Sequence, residues 1–285
     1  MRETVTLNAE GRRRLEQLHK KIESRMDADV LALFGGIQAG VEHKVRDALE
    51  PLPDRRPKIA IVLQTLGGVV EVAERMVNIV RHFYPEVVFV VPDVALSAGT
   101  VFAMSGDAIM MDYFSCLGPI DPQVEREGRL VPALSYLTQY DRLIAKSATG
   151  TLTNAEFAII SKFDLAELHQ YEMARDLSVS LLKRWLTTYK FKDWTTTETR
   201  RLPVTQADRV ARATEIAMAL MDNARWGSHG RGIPMRALQT DLRLRIDDLG
   251  SDPQLSTVIH DYFSLLMDYA FQNKIGHIAH SRVYL

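Results

Sequence analysis

The sequence predicts an α/β protein built on a parallel sheet. Apolar, strand-like runs alternate with amphipathic helical segments, the runs are apolar almost throughout, and glycine-containing turns follow two of them. Alternation of this kind favours right-handed crossovers between parallel strands, and continuously apolar strands are typical of a sheet covered by helices on both faces. We therefore expect a covered parallel sheet with crossover helices, followed by a mainly helical carboxyl-terminal region.

The first elements are indicated by charge and periodicity. Segment 7–26 is rich in charge and predicts a solvated or partner-binding helix rather than a core element. The run DVLALFGGI, which starts at Asp29, predicts the first strand, and KIAIVLQT predicts the second. After Gly67 and Gly68 the apolar residues fall on one helical stripe, which we expect to end before Pro85.

Two further strands and several helices follow. EVVFVVP predicts the third strand, SAGTVFAMSG a short helix, and AIMMD the fourth strand. Beyond residue 133 the composition changes to helical segments, which we expect at 134–148, 154–160 and 165–189. TQADRVARATEIAMALMDN and STVIHDYFSLLMDYAFQN predict two more helices.

Composition limits the classes of function. The chain has 285 residues, 46% hydrophobic and 25% charged, and its net charge of -1 provides no global field for nucleic acid or an anionic membrane. A single cysteine, Cys116, excludes an intramolecular disulfide and fits a reducing compartment. The start of the sequence is too charged for a signal peptide, and no apolar run is long enough for a membrane span. We therefore expect a cytoplasmic protein with no nucleic-acid partner.

Two turns carry the candidate chemistry. TLGGVVE follows the second strand and LSAGTVF follows the third. Loops at the carboxyl ends of parallel strands meet at one edge of a sheet, where ligands bind, so the two turns should face each other. Ser97 begins a helix, where unpaired backbone N–H groups could stabilise an oxyanion, and is a candidate nucleophile. Serine is also a common helix N-cap, and the residues alone leave both interpretations open.

Three stretches taken together carry a family resemblance. IVLQTLGGVVEVAERM, VVFVVPDVALSAGTVFAMSGDAIMMD and SCLGPIDPQV resemble the Clp protease and signal-peptide-peptidase (ClpP/crotonase) superfamily of serine peptidases, and most closely its serine dehydrogenase proteinase (SDH-type) family. The resemblance covers about residues 29–124. It implies a ClpP/crotonase-like catalytic core over 29–190, preceded by a helical segment over 1–28. The helical region 191–285 would pack on the core or form oligomer contacts.

The resemblance also implies roles for residues of the two turns. Ser97 matches the nucleophile of the family's Ser-Ala-Gly motif, and the N–H groups of Gly68 and Ala98 would form the oxyanion hole. The positions implied for oxyanion and substrate binding are Gly67, Gly68, Ala98, Gly99 and Pro119. Members of the superfamily bind substrate as an extended strand and commonly form rings or trimers. A peptide or protein substrate and a homo-oligomer are therefore implied, with no metal or cofactor.

The general base is less well defined by the resemblance. Clp proteases use a histidine beyond the serine, but the corresponding region of this sequence, around Asp121, has none. Signal-peptide-peptidase relatives use a lysine on a later helix, and Lys146 in RLIAKSATG resembles that arrangement. Burial would lower its pKa, so that the neutral amine accepts the serine proton. Lys162, His169 and His229 are the other candidates, and Asp121 would form a turn or cap or else orient the base.

The leading hypothesis is a serine peptidase, and two alternatives stay open. One is crotonase-like acyl-coenzyme A chemistry, which uses a similar fold and oxyanion hole but requires a carboxylate and a nucleotide pocket. The other is a non-catalytic oligomeric scaffold, because a serine without a base reacts slowly.

Overall fold

The computed structural model describes residues 9–121, 123–126, 129–228 and 230–285. Its strands are β1 (Asp29–Gly35), β2 (Lys58–Gln64), β3 (Glu86–Val91), β4 (Val94–Ala95), β5 (Ala108–Met111), β6 (Cys116–Leu117), β7 (Gln123–Arg126), β8 (Arg129–Pro132), β9 (Ile233–Pro234), β10 (Asp247–Asp248) and β11 (His277–His280). Its α-helices are α1 (Ala9–Met26), α2 (Val41–Leu49), α3 (Val70–Phe83), α4 (Ala98–Ala103), α5 (Ala133–Ala148), α6 (Asn154–Ile160), α7 (Leu165–Trp185), α8 (Gln206–Met221), α9 (Asn223–Trp226), α10 (Met235–Thr240) and α11 (Pro253–Asn273). A π-helical turn, Leu186–Lys190, continues α7, and a 3-10 turn covers Leu249–Ser251.

A six-stranded sheet in the order β10-β5-β3-β2-β1-β11 forms the centre of the fold. The five strands from β10 to β1 pair in parallel, and β11 pairs antiparallel with β1. The middle of the sheet is buried because β1, β2 and β3 are apolar along nearly their whole length. These pairings confirm the predicted α/β class and the parallel sheet.

Helices cover both faces of this sheet. Alternate residues of β1 point to opposite sides: Leu31 and Leu33 join the core shared with α2, α3 and α4, whereas Val30 and Ala32 join the core shared with α1 and α11. Successive side chains of a strand point to opposite faces, so a strand that is apolar at every position fits a sheet buried on both sides. The predicted covering of both faces is thus confirmed.

Helix α1 is part of the core, which corrects one expectation. Leu15, Leu18 and Ile22 are buried and lie in the same apolar cluster as Ile259 of α11. The interpretation of segment 7–26 as a solvated helix was wrong for this face, because three apolar residues at helical spacing form a narrow buried stripe within a charged sequence. Residues 7 and 8 of that segment lie outside the described part of the chain.

Late strands complete the central sheet, and the remaining strands form two smaller units. β10 and β11 supply both edges of the central sheet. β4, β6 and β9 form a three-stranded sheet beside the end of β2, and β7 and β8 form a hairpin. None of the helices in the described ranges is both long enough and apolar enough to cross a bilayer.

Candidate active site

The two glycine-containing turns are held together by backbone hydrogen bonds. The Thr65 amide donates to Val94 O at 2.9 Å, and the Leu96 amide donates to Thr65 O at 3.0 Å. Thr65 and Ala95 form a parallel bridge, so the chain after β3 runs alongside the end of β2. The turns therefore face each other at the carboxyl edge of the sheet, as the sequence predicted.

Ser97 lies at the junction between β4 and α4 in an unusual conformation. Its φ of 51° and ψ of -118° are rare for a residue with a side chain, and only 5% of its surface is exposed. Its side chain makes no cap hydrogen bond to α4, and the Gly99 amide donates instead to Leu96 O at 2.8 Å. The capping interpretation therefore does not describe this serine. Strain of this kind costs about 1–3 kcal/mol and concentrates at functional sites.

The turn after β2 requires glycine at two successive positions. Gly67 has a φ of 103° and Gly68 a φ of 146°. A Cβ at Gly68 would lie 2.1 Å from Ile37 O, an oxygen that accepts a 2.7 Å hydrogen bond from the Val69 amide. Only a residue without a side chain fits this close approach.

Two backbone donors lie beside Ser97. The amides of Gly68 and Ala98 donate no hydrogen bond within the described residues, and both residues line the same cleft as Ser97. Ala98 is the first residue of α4, where helix geometry leaves the N–H without an intrahelical acceptor. Two such N–H groups are the elements of an oxyanion hole.

The cleft in front of Ser97 has a volume of about 450 Å³. Val70, Val101 and Ile120 line it with apolar surface. Helix α7 forms the opposite wall through residues that include Gln170 and Met173, and Met173 is 60% exposed at the rim. A largely apolar cleft with a few polar groups is typical of a substrate site.

Three of the positions implied for oxyanion and substrate binding, Gly67, Gly99 and Pro119, are not among the residues that line the cleft. A Cβ at Gly99 would lie 2.3 Å from Cγ2 of Thr65, so this glycine allows α4 to pack against the end of β2. Pro119 is buried, and the following residue, Ile120, reaches the cleft. Gly67 also contacts the site from behind, since a Cβ there would lie 2.8 Å from Cβ of Ser97.

Lys146 is not among the residues that line the cleft. It lies in the last turn of α5, its side chain is 35% exposed, and its ammonium group forms an ion pair with Glu156 of α6. Hydrogen bonds from Lys146 and from the backbone and side chain of Thr153 lower the pKa of Glu156 to about 2. The Lys146 ammonium group is thus held in an ion pair outside the Ser97 cleft.

The other candidate bases are also outside the cleft or outside the described residues. Lys162 is exposed just after α6, and His169 is exposed on α7 with its ring 3.6 Å from Glu172. His229 lies outside the described residues. Asp121 is buried and accepts a 3.0 Å hydrogen bond from the Leu134 amide at the start of α5. The cleft thus contains no lysine or histidine from the described ranges.

The α7 wall was not identified from the sequence. Gln170, Met173, Ala174 and Leu177 recur at helical spacing, but the same spacing is typical of an ordinary core helix. Glu71 in the first turn of α3 also lines the cleft and was not singled out. Across the parts of the chain that the structure describes, no group of three or more His, Cys, Asp or Glu side chains could hold a metal ion.

The fold is that of a ClpP-like protein, and the sequence match names the family. The model of the ClpP-like SDH-type serine proteinase family matches residues 31–195 of this chain. Since the match covers more than half of the sequence, the chain belongs to this family. The predicted family is therefore confirmed.

Relatives and solved structures add further similarities. The chain is 28% identical over 131 residues to the uncharacterized protein MJ1495 of Methanocaldococcus jannaschii, which is 45% of this chain and 42% of that protein. It is 35% identical over 77 residues to MJ0137 of the same organism, which is 27% of each. The matches thus span less than half the length of these relatives.

Among solved structures, the chain is similar to the 1510-N membrane-bound stomatin-specific protease. For a serine-to-alanine mutant the TM-score is 0.45 at 12% identity, covering 76% of this chain and 77% of that one. For a lysine-to-alanine mutant in complex with a substrate peptide, the TM-score is 0.45 at 16% identity, covering 76% and 73%.

Proposed function

We propose that this chain is a serine peptidase in which Ser97 attacks the carbonyl carbon of a peptide bond. The observation that carries the proposal is the position of Ser97, which lies in a strained strand-to-helix turn and faces a cleft beside two unpaired N–H groups. Membership of a serine proteinase family supports the same chemistry. Both observations support Ser97 as the nucleophile of the proposed peptidase.

The proposed reaction is acyl transfer to serine followed by hydrolysis. The Ser97 oxygen forms a bond to the carbonyl carbon while its proton moves to the base, and the N–H groups of Gly68 and Ala98 stabilise the negatively charged oxygen. The C–N bond then breaks, and the leaving amine takes the proton from the base. A water molecule attacks the carbonyl carbon of the resulting ester and gives a proton to the base. The bond between this carbon and the Ser97 oxygen breaks, and the base returns the proton to that oxygen, which releases the acid and free Ser97.

Lys146 is the proposed general base, because it lies on a helix after Ser97, as the lysine base of signal-peptide-peptidase relatives does. In this role the Lys146 amine must separate from Glu156 and lose its proton before it accepts one from Ser97. The ion pair therefore belongs to a resting arrangement of the proposed enzyme.

Further parts of the proposal concern assembly and substrate. Residues 29–190 form the catalytic core, and a peptide or protein substrate lies extended along the cleft. The exposed apolar residues Phe157, Ile159 and Leu165 on α6 and α7 support a homo-oligomeric assembly. The single cysteine supports a cytoplasmic location.

A covalent probe tests the nucleophile directly. The purified chain is treated with a fluorophosphonate and measured by intact mass, alongside Ser97→Ala and the exposed-serine control Ser161→Ala. We expect one adduct on the wild type and on Ser161→Ala and none on Ser97→Ala, with circular dichroism confirming that all three are folded. Equal labelling of Ser97→Ala, or no labelling of folded wild type, contradicts the proposal.

The second candidate function is a non-catalytic scaffold with the same fold. The observation that favours it is the absence of lysine and histidine from the cleft lining within the described residues. A serine without a base is a weak nucleophile and would resist the probe. Unlabelled, folded wild-type protein is therefore the result that supports this alternative.

A further inference from the structure

The Ser97 cleft has one charged side chain in its lining. Of the described residues that line it, Glu71 alone carries a charge, while the rest are apolar, small or neutral polar residues. Glu71 lies in the first turn of α3, three residues after Gly68 of the proposed oxyanion hole, and its side chain is exposed. A substrate side chain next to the scissile bond would therefore lie close to this carboxylate.

No cation of the described chain neutralises Glu71. The neighbouring cations have other partners, because Arg75 contacts Glu42 at 2.6 Å and Arg184 contacts Glu74 at 2.6 Å. Glu71 itself makes no ion pair within the described residues. The cleft therefore presents an uncompensated negative charge beside apolar walls.

We propose that Glu71 is a specificity residue that selects a cationic side chain in the substrate. The inference rests on the proposed peptidase function and adds the substrate class: peptides that carry a lysine or arginine within a few residues of the scissile bond, next to apolar residues. The methylene stem of such a side chain packs on apolar cleft residues such as Val70 while its charged end reaches Glu71. An acidic side chain at the same place is repelled.

The expected effect is modest because Glu71 is exposed. A solvent-accessible ion pair of this kind corresponds to a preference of about fivefold for lysine over glutamine in kcat/KM. Added salt reduces the preference, since exposed charges are screened within about 8 Å at physiological ionic strength. A preference that depends on salt is thus part of the prediction.

The experiment compares matched peptides and matched variants. Internally quenched peptides with an apolar background carry Lys, Gln or Glu at each position around the cleavage point, and kcat/KM is measured for each. The enzymes are the wild type, Glu71→Gln, Glu71→Lys and Glu86→Gln. Glu86 is an exposed glutamate at the first residue of β3, at the opposite end of the parallel strands from Ser97.

The measured quantity is the ratio of kcat/KM for the lysine peptide to kcat/KM for the glutamine peptide. We expect a ratio of about five for the wild type and Glu86→Gln, a ratio near one for Glu71→Gln, and preference for the Glu peptide in Glu71→Lys. The same ratio is measured as peptide affinity on the Ser97→Ala background, which requires no turnover. A wild-type ratio near one in both measurements, or a ratio unchanged by Glu71→Gln, overturns the inference.

The two failures are distinguishable. If the peptidase function is wrong, no peptide is cleaved and the fluorophosphonate does not label Ser97, whatever the affinity ratio. If only the specificity inference is wrong, peptides are cleaved and Ser97 is labelled, but the substitution at Glu71 leaves the ratio unchanged.

Discussion

Gly67 is in contact with Ser97: a Cβ placed on Gly67 would lie 2.8 Å from the Cβ of Ser97 and 2.7 Å from Leu96 O. The turn after β2 therefore acts as a support for the turn that holds the serine. The conformation of Ser97 depends on a residue that does not itself line the cleft.

The substitution Gly67→Ala is expected to disturb both turns. The added methyl group collides with two atoms of the serine turn, and the φ of 103° is unfavourable for alanine. We expect a loss of about 1–3 kcal/mol in the free energy of unfolding and a loss of Ser97 labelling. Urea denaturation and the fluorophosphonate assay measure the two effects.

Gly40→Ala is the matched control for this change. Gly40 has a similar φ of 99°, but a Cβ there would meet nothing within 4 Å. The loss of stability in Gly40→Ala reports backbone strain alone, and fluorophosphonate labelling of Ser97 in this variant should stay at the wild-type level. If Gly67→Ala labels as fast as Gly40→Ala, the contact with Ser97 does not support the nucleophile.

Thr100 links the start of α4 to Gly118, two residues before Ile120 of the cleft lining. Its hydroxyl oxygen lies 2.8 Å from Ala95 O and 2.9 Å from both the amide nitrogen and the carbonyl oxygen of Gly118. Thr100→Val keeps the shape but leaves these buried backbone groups without a partner, and should cost about 1–3 kcal/mol of folding free energy. Thr100→Ser retains the hydroxyl and should keep most of the stability. Equal melting curves for the two variants would rule out this role.

The pair formed by Lys146 and Glu156 tests the proposed base. Lys146→Met should slow fluorophosphonate labelling of Ser97 by about 100-fold or more, because general-base assistance is lost. Glu156→Gln removes the competing charge but keeps an oxygen for the capping contacts with Thr153, and labelling should be as fast as in the wild type or faster. Unchanged labelling in Lys146→Met would move the search to Lys162, His169 and His229.

Acid should destabilise the fold through His280. Burial, and secondarily the charge of His19, lower the pKa of His280 to about 3, and its Nδ1 lies 2.5 Å from the Tyr262 hydroxyl. Glu23, which contacts Arg282 at 2.9 Å and faces the same cluster, also has a lowered pKa. The unfolded chain binds protons more readily than the folded one at both groups. Stability is therefore present near neutrality and is lost as the pH falls.

The histidine contribution falls within a defined range of pH. The loss begins near the ordinary histidine pKa of about 6.5 and continues toward pH 3, reaching about 1–3 kcal/mol by about pH 4.5. Urea denaturation across this range measures it. His280→Asn should flatten the pH dependence, whereas the exposed His43→Gln should not. A flat wild-type profile between about pH 7 and 4.5 would contradict the assignment.

The long elements could be predicted because burial imposes a period on the sequence. β1, β2 and β3 are apolar at nearly every position, and α3 keeps one stripe, so their bounds were expected to within a few residues. The two-residue strands β4, β6 and β9 are too short to show any period. Helix α2 shows helical spacing at Val41, Val45, Ala48 and Leu49, a pattern that is sufficient to predict a helix there.

The candidate site likewise has some residues that the sequence predicts and others that it does not. Gly67 and Gly68 have positive φ values that glycine favours, and Ser97 belongs to the Ser-Ala-Gly motif that carries the family resemblance. The cleft wall on α7 and the pairing of Lys146 with Glu156 depend on how helices pack against one another, and no local pattern encodes that packing. Sequence reasoning therefore identified the two turns and a candidate nucleophile, but not the residues that surround them.

The antiparallel pairing of β11 with β1 has a consequence for synthesis of the protein. Ala32 pairs with His280, so the edge of β1 that pairs with β11 stays open until residues 277–280 have been translated. An unpaired edge of a hydrophobic sheet is a template for association with other chains. Ribosome-bound intermediates that lack β11 should accordingly depend on chaperones, and premature termination before residue 277 should yield aggregates.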